Sequence, residues 1–153
     1  MGLYYLETSA LVKLYVREPG TDRLLRLVSR SANHRLAVLA LSQVELRSAI
    51  RRREREGDID SSLASQLIER FDQHLEARFL RQNVNDTVLD AALGLVDRYP
   101  LRAYDAVQLA GCLALRITSP TDGPVFVCAD RQLLIAAESE GVASLDPTED
   151  QPT

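Results

Sequence analysis

Tyr4-Tyr5-Leu6-Glu7-Thr8-Ser9-Ala10-Leu11 decides how the chain folds. An apolar run of β-formers stops at a carboxylate, two hydroxyls follow, and Ala10-Leu11-Val12-Lys13-Leu14-Tyr15 continues at helical spacing. A strand that hands an acid directly to a helix N-terminus places that acid at the carboxyl edge of a sheet, where ligands collect in open α/β folds. On its own the stretch also fits a plain helix start, with Thr8 or Ser9 as cap and Glu7 favouring the positive end of the helix.

Working outward, the same strand-to-helix pattern recurs. After a turn at Glu18-Pro19-Gly20, an amphipathic helix is expected from Thr21 to Ser31, then a fully apolar strand at Leu36–Leu41. Ser42-Gln43-Val44-Glu45 opens a long basic helix carrying Arg47, Arg51, Arg52, Arg53 and Arg55, closed near Glu56-Gly57-Asp58. A helix from Asp60 to Glu76, a weakly alternating strand at Phe79–Val84, and helices at Asp86–Tyr99 and Arg102–Ile117 follow. Val125–Ala129 is a second apolar strand ending at Asp130, Leu133–Glu140 a helix with Gly141 as its C-cap, and Val142–Leu145 a last short strand. Alternating strands and helices predict an α/β protein, a three-layer α/β/α sandwich around a central, mostly parallel sheet. Residues 1–146 form one domain, and the polar, proline-containing stretch 147–153 is expected to be a disordered tail.

Composition narrows the function. The 153 residues carry a formal net charge of −4, so contact with nucleic acid would need a local basic patch rather than global attraction. Cys112 and Cys128 sit in apolar runs and are expected to be small buried hydrophobes. With only His34 and His74, histidine chemistry has almost no material, and both are expected at the surface. No leader-like or 18-residue apolar stretch stands out, which predicts a cytoplasmic protein with no membrane contact.

Acids are what remain. Glu7, Glu45 and Asp130 each lie at or just after the end of a strand-like run, and parallel strands share one carboxyl edge. Asp105 sits in the first turn of the most apolar helix, where the dipole favours its ionised form. Each acid has a structural alternative: Ser42-x-x-Glu45 fits a capping box, Asp130 an N-cap, and Asp105 a first-turn acid. Convergence is not explained by those alternatives, because clustered carboxylates repel unless a cation offsets them. An oxygen-only set suits Mg²⁺ or Mn²⁺, which can activate water for phosphodiester displacement.

The sequence here resembles the PIN-domain ribonucleases, and more narrowly the VapC toxins of bacterial toxin–antitoxin pairs. Leu6 to Leu14, Leu41 to Leu46, Leu101 to Ala110 and Phe126 to Asp130 carry the resemblance, over about Leu3 to Leu145. It implies a PIN-like fold and Mg²⁺-dependent endoribonuclease action on RNA, with Mn²⁺ as an alternative metal. It also implies homodimerisation and neutralisation by a small cognate antitoxin. Glu7, Glu45, Asp105 and Asp130 become the catalytic and metal-site acids, with Ser9 and Thr8 supporting them; Arg102 and Arg47 are candidates for RNA phosphate. The departure is at the first acid, Asp in the family and Glu7 here. One extra methylene displaces the carboxylate, and Mg²⁺ tolerates displacement poorly. The alternative function is therefore an inert PIN-fold module that binds an antitoxin or RNA. A phosphotransfer receiver needs a lysine late in the chain, and the single lysine is Lys13.

Overall fold

The computed structural model describes residues 2–121 and 123–149. Among these residues five strands, β1 (Leu3–Leu6), β2 (Arg35–Leu39), β3 (Phe79–Gln82), β4 (Val125–Val127) and β5 (Ser144–Leu145), form one sheet in the order β3-β2-β1-β4-β5. Every described pairing is parallel, with Tyr5 opposite both Ala37 and Phe126. The expected parallel α/β architecture is therefore present. Strand order turns back beside β1, since β2 lies on one flank of it and β4 on the other; this switch point is where such sheets leave a crevice.

Among the described residues seven helices cover the sheet: α1 (Thr8–Leu11), α2 (Thr21–Val28), α3 (Ser42–Arg55), α4 (Ser61–Ala77), α5 (Asp86–Arg98), α6 (Ala103–Thr118) and α7 (Arg131–Ser139). Side chains alternate across a strand, so successive strand residues serve opposite layers. Tyr5, Leu39 and Phe126 pack with Leu95, Leu109 and Leu133 of α5, α6 and α7. Leu6, Val38 and Val127 pack with Leu11, Leu46 and Phe71 of α1, α3 and α4. Two-sided burial is why Leu36–Leu41 and Val125–Ala129 are continuous apolar runs rather than alternating ones.

Helix ends follow local chemistry. Asp60 accepts from the Leu63 amide at 2.7 Å and Asn85 from the Val88 amide at 3.0 Å, so both are N-caps. Gly141, at φ +75°, ends α7 in the left-handed conformation that the sequence reading expects of it. The first helix is shorter than its hydrophobic spacing suggests, continuing beyond Leu11 as a 3₁₀ turn at Val12–Leu14. Both cysteines are fully buried free thiols, and burial pushes Cys112 up to about 12.

Two expectations are corrected. His34 and His74 are half-buried and bonded: Gly2 N donates to His34 Nδ1 at 3.0 Å, and Tyr15 Oη lies 2.8 Å from His74 Nδ1. The expected disordered tail begins as an ordered turn, because Arg23 Nη1 donates to the Asp146 carbonyl at 3.0 Å and the Glu149 carbonyl at 2.7 Å. Residues 150–153 lie outside the described residues. Among those described, no helix is long and apolar enough to cross a membrane.

Gly111 marks where α6 presses on the sheet. A Cβ there would lie 2.5 Å from Tyr5 Oη and 2.6 Å from Leu39 Cδ1, both on fully buried side chains. Overpacking of this kind costs about 1–3 kcal/mol, more than the helix-propensity gain of up to about 1 kcal/mol. Gly111→Ala is therefore expected to lower the urea unfolding midpoint; a raised midpoint would contradict the close approach.

Candidate active site

The N-terminal ends of α1, α3 and α6 meet around one buried amide. Gln108, fully buried on α6, donates through Nε2 to Glu45 Oε1 at 2.7 Å, Thr8 Oγ1 at 3.0 Å and Ser42 Oγ at 3.0 Å. Its Oε1 faces Tyr5 Oη at 3.4 Å. Two amide hydrogens shared among three oxygens leave the hydroxyls to reorient, and Thr8 Oγ1 donates onward to Glu45 Oε1 at 3.2 Å. No buried side-chain nitrogen or oxygen among the described residues lacks a partner.

This network overturns the capping-box alternative for Glu45. The cap position of α3 is Leu41, with no side-chain bond, and Ser42 is already inside the helix. Glu45 turns away from the helix end toward Gln108 and Thr8. Burial pushes its pKa up, the Gln108 and Thr8 bonds resist, and the neighbouring Asp105 carboxylate adds to the rise. Asp105 is tethered by Arg102, whose Nε donates to Oδ2 at 3.2 Å.

Glu45 and Asp105 open together on a groove of about 550 Å³ that Thr8, Arg52, Arg102 and Tyr104 also line. Glu7 and Asp130 do not line it. Glu7 is 4% exposed and caps α1: Oε2 accepts from the Ser9 amide at 2.9 Å and from the Ser9 hydroxyl. Burial is the main cause of its pKa being pushed up to about 7, against the Ser9 bonds. Asp130 caps α7, accepting from the Leu133 amide at 3.1 Å. Ser9 ties Glu7 to the residue preceding Asp130, since its Oγ also accepts from the Ala129 amide at 3.0 Å. Arg47 lies on the adjacent face of α3, paired with Asp72 at 3.4 Å.

Of the four expected acids, Glu45 and Asp105 line the groove, while Glu7 lies near enough to Glu45 for that charge to add to its raised pKa. Among the described residues, no three of the Asp, Glu, His and Cys side chains gather closely enough to hold a metal ion. The Glu45 and Asp105 pair nevertheless suits Mg²⁺, which is commonly held by one or two carboxylates, water and a substrate phosphate rather than by an all-protein cage. Sequence reasoning missed Gln108 and Tyr104, whereas Arg52 belongs to the basic run it singled out. Gln108 had a legible signal: a lone amide within the apolar face formed by Ala106, Leu109 and Ala110.

An α/β sheet of this order with acids on a groove at its carboxyl edge defines the class, and the comparisons specify it. The chain belongs to the PIN domain family, whose family model matches residues 4–137. It is 32% identical over 149 residues to ribonuclease VapC46 of Mycobacterium tuberculosis, covering 97% of this chain and all of that protein. Its fold is similar to a toxin–antitoxin complex from Klebsiella pneumoniae, at a TM-score of 0.67 and 14% identity, covering 96% of this chain and 99% of that one. VapBC2 from Rickettsia felis, solved with a DNA fragment from its promoter, matches at 0.63 and 13% identity over 94% and 97% of the two chains.

Two measurements check this geometry. Gln108→Leu removes the amide donors and leaves Glu45, Thr8 and Ser42 short of partners, so unfolding free energy is expected to fall by about 1–3 kcal/mol; an unchanged value would contradict the network. Glu7 predicts a pH dependence in metal-free protein. The folded state holds the Glu7 proton up to about pH 7, and the unfolded chain releases it near 4.5. Between those values folding binds a proton, so stability decreases as pH rises, by at most about 3 kcal/mol. Glu7→Gln, which keeps an acceptor for Ser9, is expected to remove that part of the decline. A decline identical to wild type would refute it.

Proposed function

We propose that this chain is a divalent-metal-dependent endoribonuclease and the toxin of a toxin–antitoxin pair. The observation that carries the reading is that Glu45 and Asp105 open on one groove flanked by Arg52 and Arg102. Two neighbouring carboxylates, with Asp105 raising the proton affinity of Glu45, are relieved by a cation, and the arginines offer counter-charge to a phosphodiester. Similarity over nearly the full chain to a protein named as a ribonuclease, and to toxin–antitoxin structures in fold, supports the same assignment.

In this reading Glu45 and Asp105 hold Mg²⁺ or Mn²⁺ in the groove. The bound metal supplies an activated water and charge stabilisation at phosphorus. Gln108 and Thr8 fix the Glu45 carboxylate, and Arg102 holds Asp105 while facing the substrate. Glu7 and Asp130 stand behind as the further acids of the site, their loops joined through Ser9. The protein acts in the cytoplasm as a homodimer, and a small cognate antitoxin covers the groove.

A second reading, an inert PIN-fold module that binds antitoxin or RNA, is favoured by one observation. Glu7 stands where the resemblance expects Asp, and it is folded back onto Ser9 out of the groove. A misplacement of about 1 Å can cost about 10²-fold in rate.

Cleavage of a mixed single-stranded RNA pool with Mg²⁺, Mn²⁺ or EDTA tests the two. Metal-dependent cleavage is expected, with Asp105→Asn reducing it by about 10²-fold or more, and Glu7→Asp raising it. Absence of cleavage with either metal, in wild type and Glu7→Asp alike, would favour the inert module.

A further inference from the structure

Among the described residues Tyr104 is the one aromatic side chain exposed to solvent, at 64%. The chain's other tyrosines are occupied. Tyr5 stacks on Phe126 in the core, Tyr15 meets Phe71 and His74, Tyr4 lies against His34, and Tyr99 donates to Glu140. Tyr104 makes no ring contact or hydrogen bond among the described residues, yet it lines the groove immediately beside Asp105.

The surroundings of Tyr104 indicate its partner. Arg102, with 82% of its side chain exposed, bonds Asp105 only through Nε, leaving its terminal nitrogens without a protein partner among the described residues. Arg52, exposed on the α3 side of the groove, forms no ion pair among the described residues. Arg47, Arg51 and Arg53 differ, being paired with Asp72, Glu54 and Glu18. Val44, 66% exposed, adds an apolar surface from α3. Free guanidiniums and an unpaired aromatic face around one groove are the parts of a single-strand nucleic-acid site, where arginines follow the backbone and rings stack on bases.

Resting on the nuclease reading above, we propose that Tyr104 is the stacking platform for an unpaired RNA base in the groove beside Asp105, with Arg52 and Arg102 gripping the flanking phosphates. A duplex keeps its bases stacked on one another, so this platform selects single strands. Tyr104 acts on substrate binding and base preference, not on the bond-breaking step.

The test is fluorescence anisotropy with a labelled mixed-sequence RNA 12-mer, single-stranded or annealed, in EDTA so that nothing is cleaved. Tyr104→Ala is expected to weaken single-strand binding by about tenfold or more, with Tyr104→Trp retaining it and duplex binding little changed. Arg52→Ala and Arg102→Ala are expected to lower the logarithmic salt slope by about 0.7 each. Tyr104 is outside the core, so thermal unfolding of each variant should match wild type, separating a binding loss from a folding loss. Wild-type affinity in Tyr104→Ala would overturn the inference and leave the ring for a protein partner, with the nuclease reading untouched. A wild-type protein that binds no single strand would overturn it too, and the nuclease reading falls with it only if metal-dependent cleavage is also absent.

Discussion

The Gln108 amide is the constraint on which the site depends. It is buried in the apolar face of α6, where an unsatisfied amide would cost several kcal/mol, and three different elements provide its partners. Tyr5 reaches it from β1, Thr8 from α1, Ser42 and Glu45 from α3. A hydrophobe at position 108 would fill the volume but could not hold a carboxylate. Glu45 can be half-buried and still face the groove because one of its oxygens is satisfied from inside the protein.

From this follows a division of labour among the acids. Glu45 and Asp105 keep oxygen available to the groove and feel each other's charge. Glu7 and Asp130 are used by the backbone, capping α1 and α7, and Ser9 ties their loops together across the switch point between β1 and β4. Glu7 is held by the Ser9 amide of its own helix, and burial favours its neutral carboxyl, whose pKa is pushed up to about 7.

Much of the fold was legible because its signals are local. Leu36–Leu41 and Val125–Ala129 have the pattern of strands covered on both faces and hold strands ending at Leu39 and Val127, Asp60 and Asp130 sit where caps belong, and Gly141 ends a helix. What the residues could not convey was direction. Strand order places an acid at an edge but does not say whether its side chain turns to the crevice or back to its own helix, and Glu45 and Glu7 went opposite ways from similar starts. Ser42 resembled a cap because serine usually is one, whereas the helix begins one residue earlier and the hydroxyl serves Gln108. Tyr104 looked like an ordinary surface residue and Arg52 like one member of a basic run, since only the three-dimensional groove shows that they lack partners.

The most direct test of the account is Mn²⁺ binding to the RNA-free protein, followed by electron paramagnetic resonance. Wild type is expected to bind Mn²⁺, Glu45→Gln and Asp105→Asn to lose most of that binding, and Asp130→Asn, which preserves the cap of α7, to lose much less. Equal dependence on all four acids would mean that they close into one cage, contradicting the division between groove and cap. Binding indifferent to Glu45 and Asp105 would remove the metal centre from the groove altogether.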